Sequence, residues 1–193
     1  MYLFLRLMGF NKTKKKLVVL SVFCVIVLTW CLSIGELFSD PYSTIIRSSN
    51  GNLLSARIAS DGQWRFPCSD SIPDKYKKAV IFFEDEYFHY HLGVNPVSIF
   101  RAFSQNLVSD KIISGGSTLS MQLIRLSRKG KSRTYSEKII EILLAIRMEL
   151  THSKADILNL YASHAPFGGN VVGLEAASWR YYGRSSNLLS WGE

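Results

Sequence analysis

Cysteine is scarce in this sequence, and the cysteines that are present form no pattern. Of three in 193 residues, Cys24 and Cys31 lie in one apolar run and Cys68 stands alone in the remainder. The chain beyond the apolar run therefore has no pair for an internal disulfide. No Cys/His spacing typical of zinc ligands occurs either, which argues against a zinc domain.

Other signatures of common sites are missing as well. Ser117-Thr118 and not Lys-Ser/Thr directly follows the pair Gly115-Gly116, and the complete G-x-x-x-x-G-K-S/T pattern does not occur, which excludes a Walker-type nucleotide loop. Neither Ser-x-x-Lys nor Lys-Thr-Gly occurs, so these residues contain no serine transpeptidase centre. The sequence also shows no internal repeat and no low-complexity tract.

Acidic residues are absent from the first 16 positions, which hold five basic ones. The remaining chain has 18 basic and 15 acidic residues, so most of the net charge of +8 belongs to the N-terminus and says little about nucleic acid. The run Leu17–Ile34 that follows is uncharged and long enough to cross a hydrocarbon core of roughly 30 Å. Because lysines precede this run, we predict a membrane anchor with a cytoplasmic N-terminus. A cleavable signal peptide is the alternative, disfavoured because no A-x-A-like cleavage site follows.

The residue patterns predict four parts. These are a basic cytoplasmic tail at 1–16, a transmembrane anchor at 17–35, a small β-containing element at 36–73 and a main domain at 74–193 outside the cytoplasmic membrane. Asn50-Gly51 and Asp61-Gly62 are turn dipeptides between β-branched and aromatic stretches. From Asp74 onward, apolar residues recur every three or four positions, which indicates helices at 74–90, from 95, at 117–126, 136–150, 153–161 and 174–182. The expected fold class is therefore mainly α.

The segment Glu84–Gly93 concentrates three carboxylates, two histidines and three aromatic residues directly after an apolar run. Acidic side chains close to an apolar wall cost free energy unless they are paired or take part in chemistry. A carboxylate in such a place can exchange a proton near neutral pH. On one continuous helix, Glu84, Phe88 and His91 would share a face while Asp85 would point elsewhere. Glu84 is therefore the first candidate for catalysis, and a solvated, charged helix end is the alternative.

Two later segments are candidates for binding phosphate. Gly115-Gly116-Ser117-Thr118 stands at a helix start, where free N–H groups accept phosphate oxygens, although an ordinary helix cap is the alternative. Basic residues connect this turn to the next helix: Arg125, Arg128, Lys129, Lys131, Arg133 and Lys138. That helix carries Glu141 close to its apolar side, where a second carboxylate could balance a metal or steer a phosphate-bearing substrate.

In this order and spacing, the segments resemble the motifs of glycosyltransferase family 51, the peptidoglycan glycosyltransferase domain of class A penicillin-binding proteins. The first motif, E-D-x-x-F-x-x-H-x-G, is complete from Glu84 to Gly93. The second, G-G-S-T-x-T-Q-Q, resembles residues 115–122, the third, R-K-x-x-E, residues 137–141, and the fourth residues 153–161. A later G-x-E-A-A…Y-x-G-K/R pattern matches 173–184. Met121 and the stretches 63–67, 93–96 and 165–170 are most similar to the 1C subgroup, and the resemblance covers about residues 40–193.

The resemblance implies a lysozyme-like helical domain with a small membrane-associated lobe. It implies that lipid II is joined to a growing glycan strand, with anomeric inversion and release of undecaprenyl diphosphate. Glu84 would be the general base and Glu141 the second catalytic carboxylate. Residues that match substrate-binding positions, or support them, are Asp85, His91, Ser117, Thr118, Gln122, Arg125, Arg133 and Lys138. Magnesium or manganese would be the only cofactor, and the partners would be the cytoplasmic membrane and other cell-wall synthesis proteins.

Three positions depart from the family motifs, and the chain also ends early. Met121 replaces a glutamine, Ser163 an asparagine and Glu137 the arginine of the third motif. We hypothesise that Arg133 substitutes for that arginine, so that Arg133→Ala costs more polymerisation than Arg128→Ala. The chain ends at Glu193, before the segment with which the family domain continues, and this predicts a truncated domain. The alternatives to a transferase are an inactive remnant that only binds lipid II or cell-wall synthesis partners, and a lysozyme-like hydrolase.

Overall fold

A computed structural model describes residues 12–32, 35–67, 72–109, 115–129, 131 and 134–193. The chain divides into two compact units, one through Glu36 and one from Leu37 to Glu193. The second unit contains both the predicted β element and the predicted helical domain. Among the described residues, the structure is mainly helical with two small sheets, as the sequence predicted.

The first unit contains helix α1, Lys12–Leu32. Most of its apolar side chains are exposed. Within the part of the chain that the structure describes, no helix combines the length and apolarity needed to cross a membrane. The predicted anchor at 17–35 is therefore not confirmed, and its positions 33 and 34 lie outside the described residues.

The β element forms one hairpin and one parallel pair. Strands β1 (Thr44–Arg47) and β2 (Leu53–Arg57) are antiparallel, joined through Gly51 with a φ of 81°, so the predicted Asn-Gly turn is confirmed. Strand β3 (Trp64–Arg65) does not extend this hairpin. It pairs in parallel with β4 (Val171–Val172), a strand that the sequence did not predict.

The helices of the main domain are α2 (Asp74–Glu84), α3 (Pro96–Val108), α4 (Leu119–Ser127), α5 (Tyr135–Thr151), α6 (Lys154–His164) and α7 (Leu174–Tyr182). Four of them begin at a side chain that accepts a hydrogen bond from the first turn: Asn95, Thr118, Thr134 and Ser153. Ser153 and Asp156 form a capping box at the start of α6. The starts and ends predicted for α4, α5, α6 and α7 agree with the structure to within three residues.

The core lies around α4, which packs against both α5 and α6. Leu119, Met121 and Leu123 are fully buried, although α4 is only nine residues long. Residues of the loop before α3 and of α5 to α7 complete this core: Phe88, Ala145, Met148, Ile157, Leu158, Ala162 and Leu174. A helix this buried fixes the positions of the few polar side chains that it carries. The lysozyme-like character of the domain stays a prediction.

The prediction of one helix from 74 to 90 is wrong. Helix α2 ends at Glu84, Asp85 has φ −160° and ψ 74°, and Phe88–Tyr90 forms a short 3₁₀ turn. Glu84, Phe88 and His91 therefore do not share a helix face. The predicted apolar face also fails, because Phe83 and Tyr90 are both 86% exposed. The helix stops where Asp85 turns its carboxylate inward, to the backbone N–H of Leu119 and to Nε2 of His91.

Candidate active site

Glu84 lies at the C-terminal end of α2, where it is half-buried. Its Oε2 accepts a hydrogen bond of 2.7 Å from Nε2 of Gln122, a side chain of α4. The carbonyl oxygen of Gln122 in turn accepts a hydrogen bond of 3.2 Å from the hydroxyl of Tyr161 on α6. The first, second and fourth sequence motifs thus meet in a line of three side chains.

Asp85 performs a different task from its neighbour. Its buried carboxylate accepts the backbone N–H of Leu119, the first residue of α4, at 3.0 Å. Both of its oxygens lie 3.0 Å from Nε2 of His91. Asp85 therefore connects the Glu84 segment to the N-terminus of α4, and His91 is held as part of the same connection. Neither Asp85 nor His91 is part of the hydrogen-bonded line of Glu84, Gln122 and Tyr161.

The hydroxyl of Thr118 also stabilises the connection between the Glu84–Gly93 segment and the N-terminus of α4. It donates to the carbonyl of Gly93 at 2.6 Å and accepts the N–H of Met121 at 3.2 Å. Gly93 has a φ of 81°, and a Cβ there would lie 2.7 Å from the backbone of Ala145. The N–H groups of Leu119 and Met121, in the first turn of α4, are thus already bonded to Asp85 and Thr118. The expected phosphate site does not have these two donors.

Lys138 joins the second and third motifs. Its Nζ donates to Oγ of Ser117 at 2.7 Å and to Oε2 of Glu141 at 3.3 Å. Glu141 is buried, whereas the Lys138 side chain is 39% exposed. An ammonium group has three N–H donors, so Lys138 keeps one for an outside acceptor while it compensates the charge of Glu141.

The remaining basic residues fall into three cases. Arg125 is half-buried on α4, and its charge acts to lower the pKa of Tyr161. Arg128 binds both oxygens of Glu137 at 2.9 and 3.1 Å. Arg133 lies outside the described residues. Glu137 and Glu141 are one helical turn apart, and each carboxylate has its own cation, Arg128 and Lys138 respectively.

Sequence reasoning did not assign two tyrosines beside Glu84. Burial raises the pKa of Tyr161 to about 12, the Glu84 charge adds to this, and Arg125 opposes it. Burial, helped by Tyr161 and Glu84, also raises the pKa of Tyr76 well above its ordinary value. Both phenols therefore stay protonated at neutral pH. Their position on apolar helix faces could have indicated this role, because a tyrosine buried there needs a hydrogen-bond partner for its hydroxyl.

A second buried polar cluster was also missed. Glu149 accepts hydrogen bonds from Ser120 and from Nζ of Lys154, the latter at 2.8 Å. Lys154 also donates to the carbonyl of His91 at 2.7 Å and lies 4.3 Å from the centre of the Phe88 ring. This cluster supports the Glu84–Gly93 segment from the side of α5 and α6.

A metal centre held by the protein would require several acidic, histidine or cysteine side chains close together. Across the described ranges, no group of three or more His, Cys, Asp or Glu side chains could hold a metal ion. Glu141, the carboxylate suggested for such a role, already contacts the ammonium of Lys138. These side chains alone therefore do not fit a metal centre held only by the protein.

The sequence has clear relatives. A profile of the transglycosylase family matches residues 50–193. Penicillin-binding protein 1C of Escherichia coli (strain K12) is 40% identical over 165 residues, which cover 85% of this chain and 21% of that protein. Penicillin-binding protein 1A of the same strain is 39% identical over 150 residues, covering 77% and 17%. The biosynthetic peptidoglycan transglycosylase of Thiobacillus denitrificans is 35% identical over 121 residues, covering 63% and 52%. The chain thus spans about a fifth of the penicillin-binding proteins that it matches.

Proposed function

Because this chain belongs to the transglycosylase family, we propose that it is a peptidoglycan glycosyltransferase that polymerises lipid II. A growing strand would donate its end sugar, with inversion at the anomeric carbon and undecaprenyl diphosphate as the leaving group. The observation that supports this most directly is the setting of Glu84. Its carboxylate is half-buried and receives a hydrogen bond of 2.7 Å from a neutral amide.

The setting of Glu84 suits a general base. The 4-hydroxyl of the incoming lipid II is a weak nucleophile until a base removes its proton. The Gln122 amide orients the carboxylate without cancelling its charge, whereas a lysine or arginine would make it a weaker base. In this proposal, Glu84 takes the proton as the sugar oxygen attacks.

The departing diphosphate requires positive charge as its own negative charge develops. Lys138 is suited to supply it, because its ammonium has a free donor and a partly exposed side chain. Arg125 is the second candidate, since it lies on α4 one turn after Gln122. Glu141 holds Lys138 in place by an ion pair of 3.3 Å. A divalent cation stays a prediction of the resemblance, and no step proposed for this site depends on it.

We also propose that the protein works at the cytoplasmic membrane, with its main domain outside the cytoplasm. The basic N-terminal residues and the uncharged run after them support this placement. Large apolar side chains are also exposed from the last turn of α2 to the first turns of α3: Phe82, Phe83, Tyr87, Tyr90, Leu92, Val97 and Phe100. Both substrates of the proposed reaction are bound to lipid, so an apolar surface near the base is useful to it.

The decisive experiment supplies labelled lipid II to the purified chain in detergent with magnesium. Strand formation that disappears in Glu84→Gln supports the transferase. Binding of lipid II without polymer supports the inactive remnant, and release of fragments from finished cell wall supports a hydrolase. Omission of magnesium with added EDTA tests the cation. Extraction of cell membranes with alkaline carbonate tests the placement, because a peripheral protein is released and an anchored one is retained.

A further inference from the structure

We infer that Tyr161 is a positioning residue that aims the amide of Gln122 at the carboxylate of Glu84, a role that rests on the proposed function of Glu84 as the base. The resemblance assigns Gln122 to substrate binding and gives Tyr161 no role. The structure places Gln122 between the two, with its nitrogen 2.7 Å from Glu84 and its oxygen 3.2 Å from the Tyr161 hydroxyl.

The two ends of a glutamine amide are chemically different, so its orientation matters. The nitrogen end only donates hydrogen bonds, and an ionised carboxylate only accepts them. With the amide reversed, its oxygen would face the oxygens of Glu84, and the pair would repel or require a proton between them. The Tyr161 hydroxyl favours the productive orientation because it gives the amide oxygen a donor on the opposite side.

Tyr161 is suited to be a permanent donor. It is only 8% exposed, so the bond to Gln122 has little competition from water. Its pKa of about 12, raised mainly by burial, keeps the phenol protonated at neutral pH. The groups that act on Tyr161 are Glu84 from α2 and Arg125 from α4. Tyr161, on α6, therefore affects the orientation of Glu84 through one side chain of α4, that of Gln122.

Tyr76 provides a matched comparison. It is also a buried tyrosine whose pKa is affected by Glu84. However, the hydrogen bonds of the Gln122 side chain go to Glu84 and Tyr161 and not to Tyr76. Removal of its hydroxyl therefore changes the polarity near Glu84 without changing what orients the amide.

The first test observes the amide itself and requires no activity. The sequence has only three glutamines, Gln63, Gln105 and Gln122. Full-length chain labelled with ¹⁵N at the glutamine side chains should therefore give three amide pairs, and Gln122→Met identifies the third. We expect Tyr161→Phe and Glu84→Ala, neither of which adds an amide, to shift the Gln122 pair and Tyr76→Phe to leave it in place. An unshifted pair in Tyr161→Phe overturns the inference even if the wild-type chain polymerises nothing.

The second test uses lipid II polymerisation. Loss of one hydrogen bond that orients the base should lower kcat about 5- to 10-fold in Tyr161→Phe, with KM for lipid II within about twofold. In a Gln122→Met background, the same substitution should have no further effect, because the amide through which it acts is gone. Tyr76→Phe should retain wild-type kcat. An equal loss in both backgrounds, or a rise of KM alone, overturns the inference, whereas an inactive wild-type chain overturns only the proposed function.

Discussion

Two glutamates contact the same short helix, α4, but their surroundings are opposite. The Glu149 side chain is 2% exposed, its oxygens lie 2.7 and 2.8 Å from Nζ of Lys154, and Ser120 donates to it as well. Glu84 is half-buried, and the hydrogen bond described for it comes from the neutral amide of Gln122. Among the described residues, the charge of Glu149 is thus compensated by Lys154, whereas the carboxylate of Glu84 is oriented by Gln122 and forms no ion pair.

This difference separates a glutamate that stabilises the fold from one that can do chemistry. Breaking a buried ion pair with additional hydrogen bonds costs free energy, so its carboxylate is not suited to take up a proton during catalysis. A half-buried carboxylate that is oriented by a neutral donor keeps its access to a substrate hydroxyl. The structure therefore distinguishes the two roles by the charge of the partner, and four glutamates allow this rule to be tested.

The largest effect is expected at Glu84. Glu84→Gln keeps the side-chain size but removes the base, so polymerisation of lipid II should fall about 10²- to 10⁴-fold, the usual contribution of general-base catalysis. The melting temperature should stay within about 2 °C of wild type, because no ion pair is broken. Steady-state rates with labelled lipid II and a thermal unfolding curve measure the two quantities.

Glu86→Gln is the control for this change, since Glu86 is an exposed carboxylate two residues away. It should retain wild-type activity. If Glu84→Gln polymerised at the wild-type rate, Glu84 would not be the base and the contrast with Glu149 would lose its functional meaning.

The opposite result is expected at Glu149. Glu149→Gln leaves the ammonium of Lys154 largely buried without a carboxylate, which should lower the free energy of unfolding by about 2–3 kcal/mol, somewhat below a fully buried pair. For a chain of this size, the melting temperature should fall by about 5–10 °C. Additional replacement of Lys154 by methionine should restore part of the loss, because the uncompensated charge is then gone. A Glu149→Gln variant as stable as wild type would contradict the structural role of the pair.

Much of this architecture could be predicted from the sequence, because it depends on local rules. Caps such as Asn95 and Ser153, and apolar spacing in α5, gave the helices to within a few residues. The end of α2 could not be predicted, because Asp85 leaves the helix for a donor 34 positions away. The β3–β4 pairing has the same cause, a contact distant in sequence. The site was predicted as a list of motif residues, and the fourth motif includes Lys154 and Tyr161, but the contacts of these two side chains follow only from packing.

Glu175 tests the rule at an intermediate case, because it accepts both neutral and charged donors. Burial opposes its ionisation, but hydrogen bonds from Ser186, Trp179 and Arg47 outweigh this and hold the pKa of Glu175 below its ordinary 4.5. Since the pKa is lower in the folded state, this stabilisation is present above about pH 4.5 and is lost as pH falls through the folded value.

Glu175→Gln should therefore reduce stability at pH 7 by about 1 kcal/mol, or 2–4 °C in melting temperature, with allowance for solvent screening of Arg47. The difference from wild type should shrink as the pH is lowered from 5 to 3, because the wild-type carboxyl then also becomes neutral. Melting curves across this range provide the measurement. A difference that is the same at pH 3 and pH 7 would show that the charge of Glu175 contributes nothing.

The smallest effect is expected at Glu137, where the charge is compensated by a partly exposed partner. Arg128 binds it through two nitrogens, with side chains 26% and 20% exposed. Arg128→Ala should leave Glu137 free to repel the departing diphosphate and lower polymerisation about threefold. If Arg128 acts only by compensating that charge, Arg128→Ala combined with Glu137→Gln should polymerise at close to the wild-type rate.

Arg133→Ala, predicted to remove a direct contact with diphosphate, should lower polymerisation more than Arg128→Ala does, and Glu137→Gln should not restore it. Restoration of both variants would mean that both arginines only compensate Glu137, whereas restoration of neither would mean that Arg128 contacts the substrate itself.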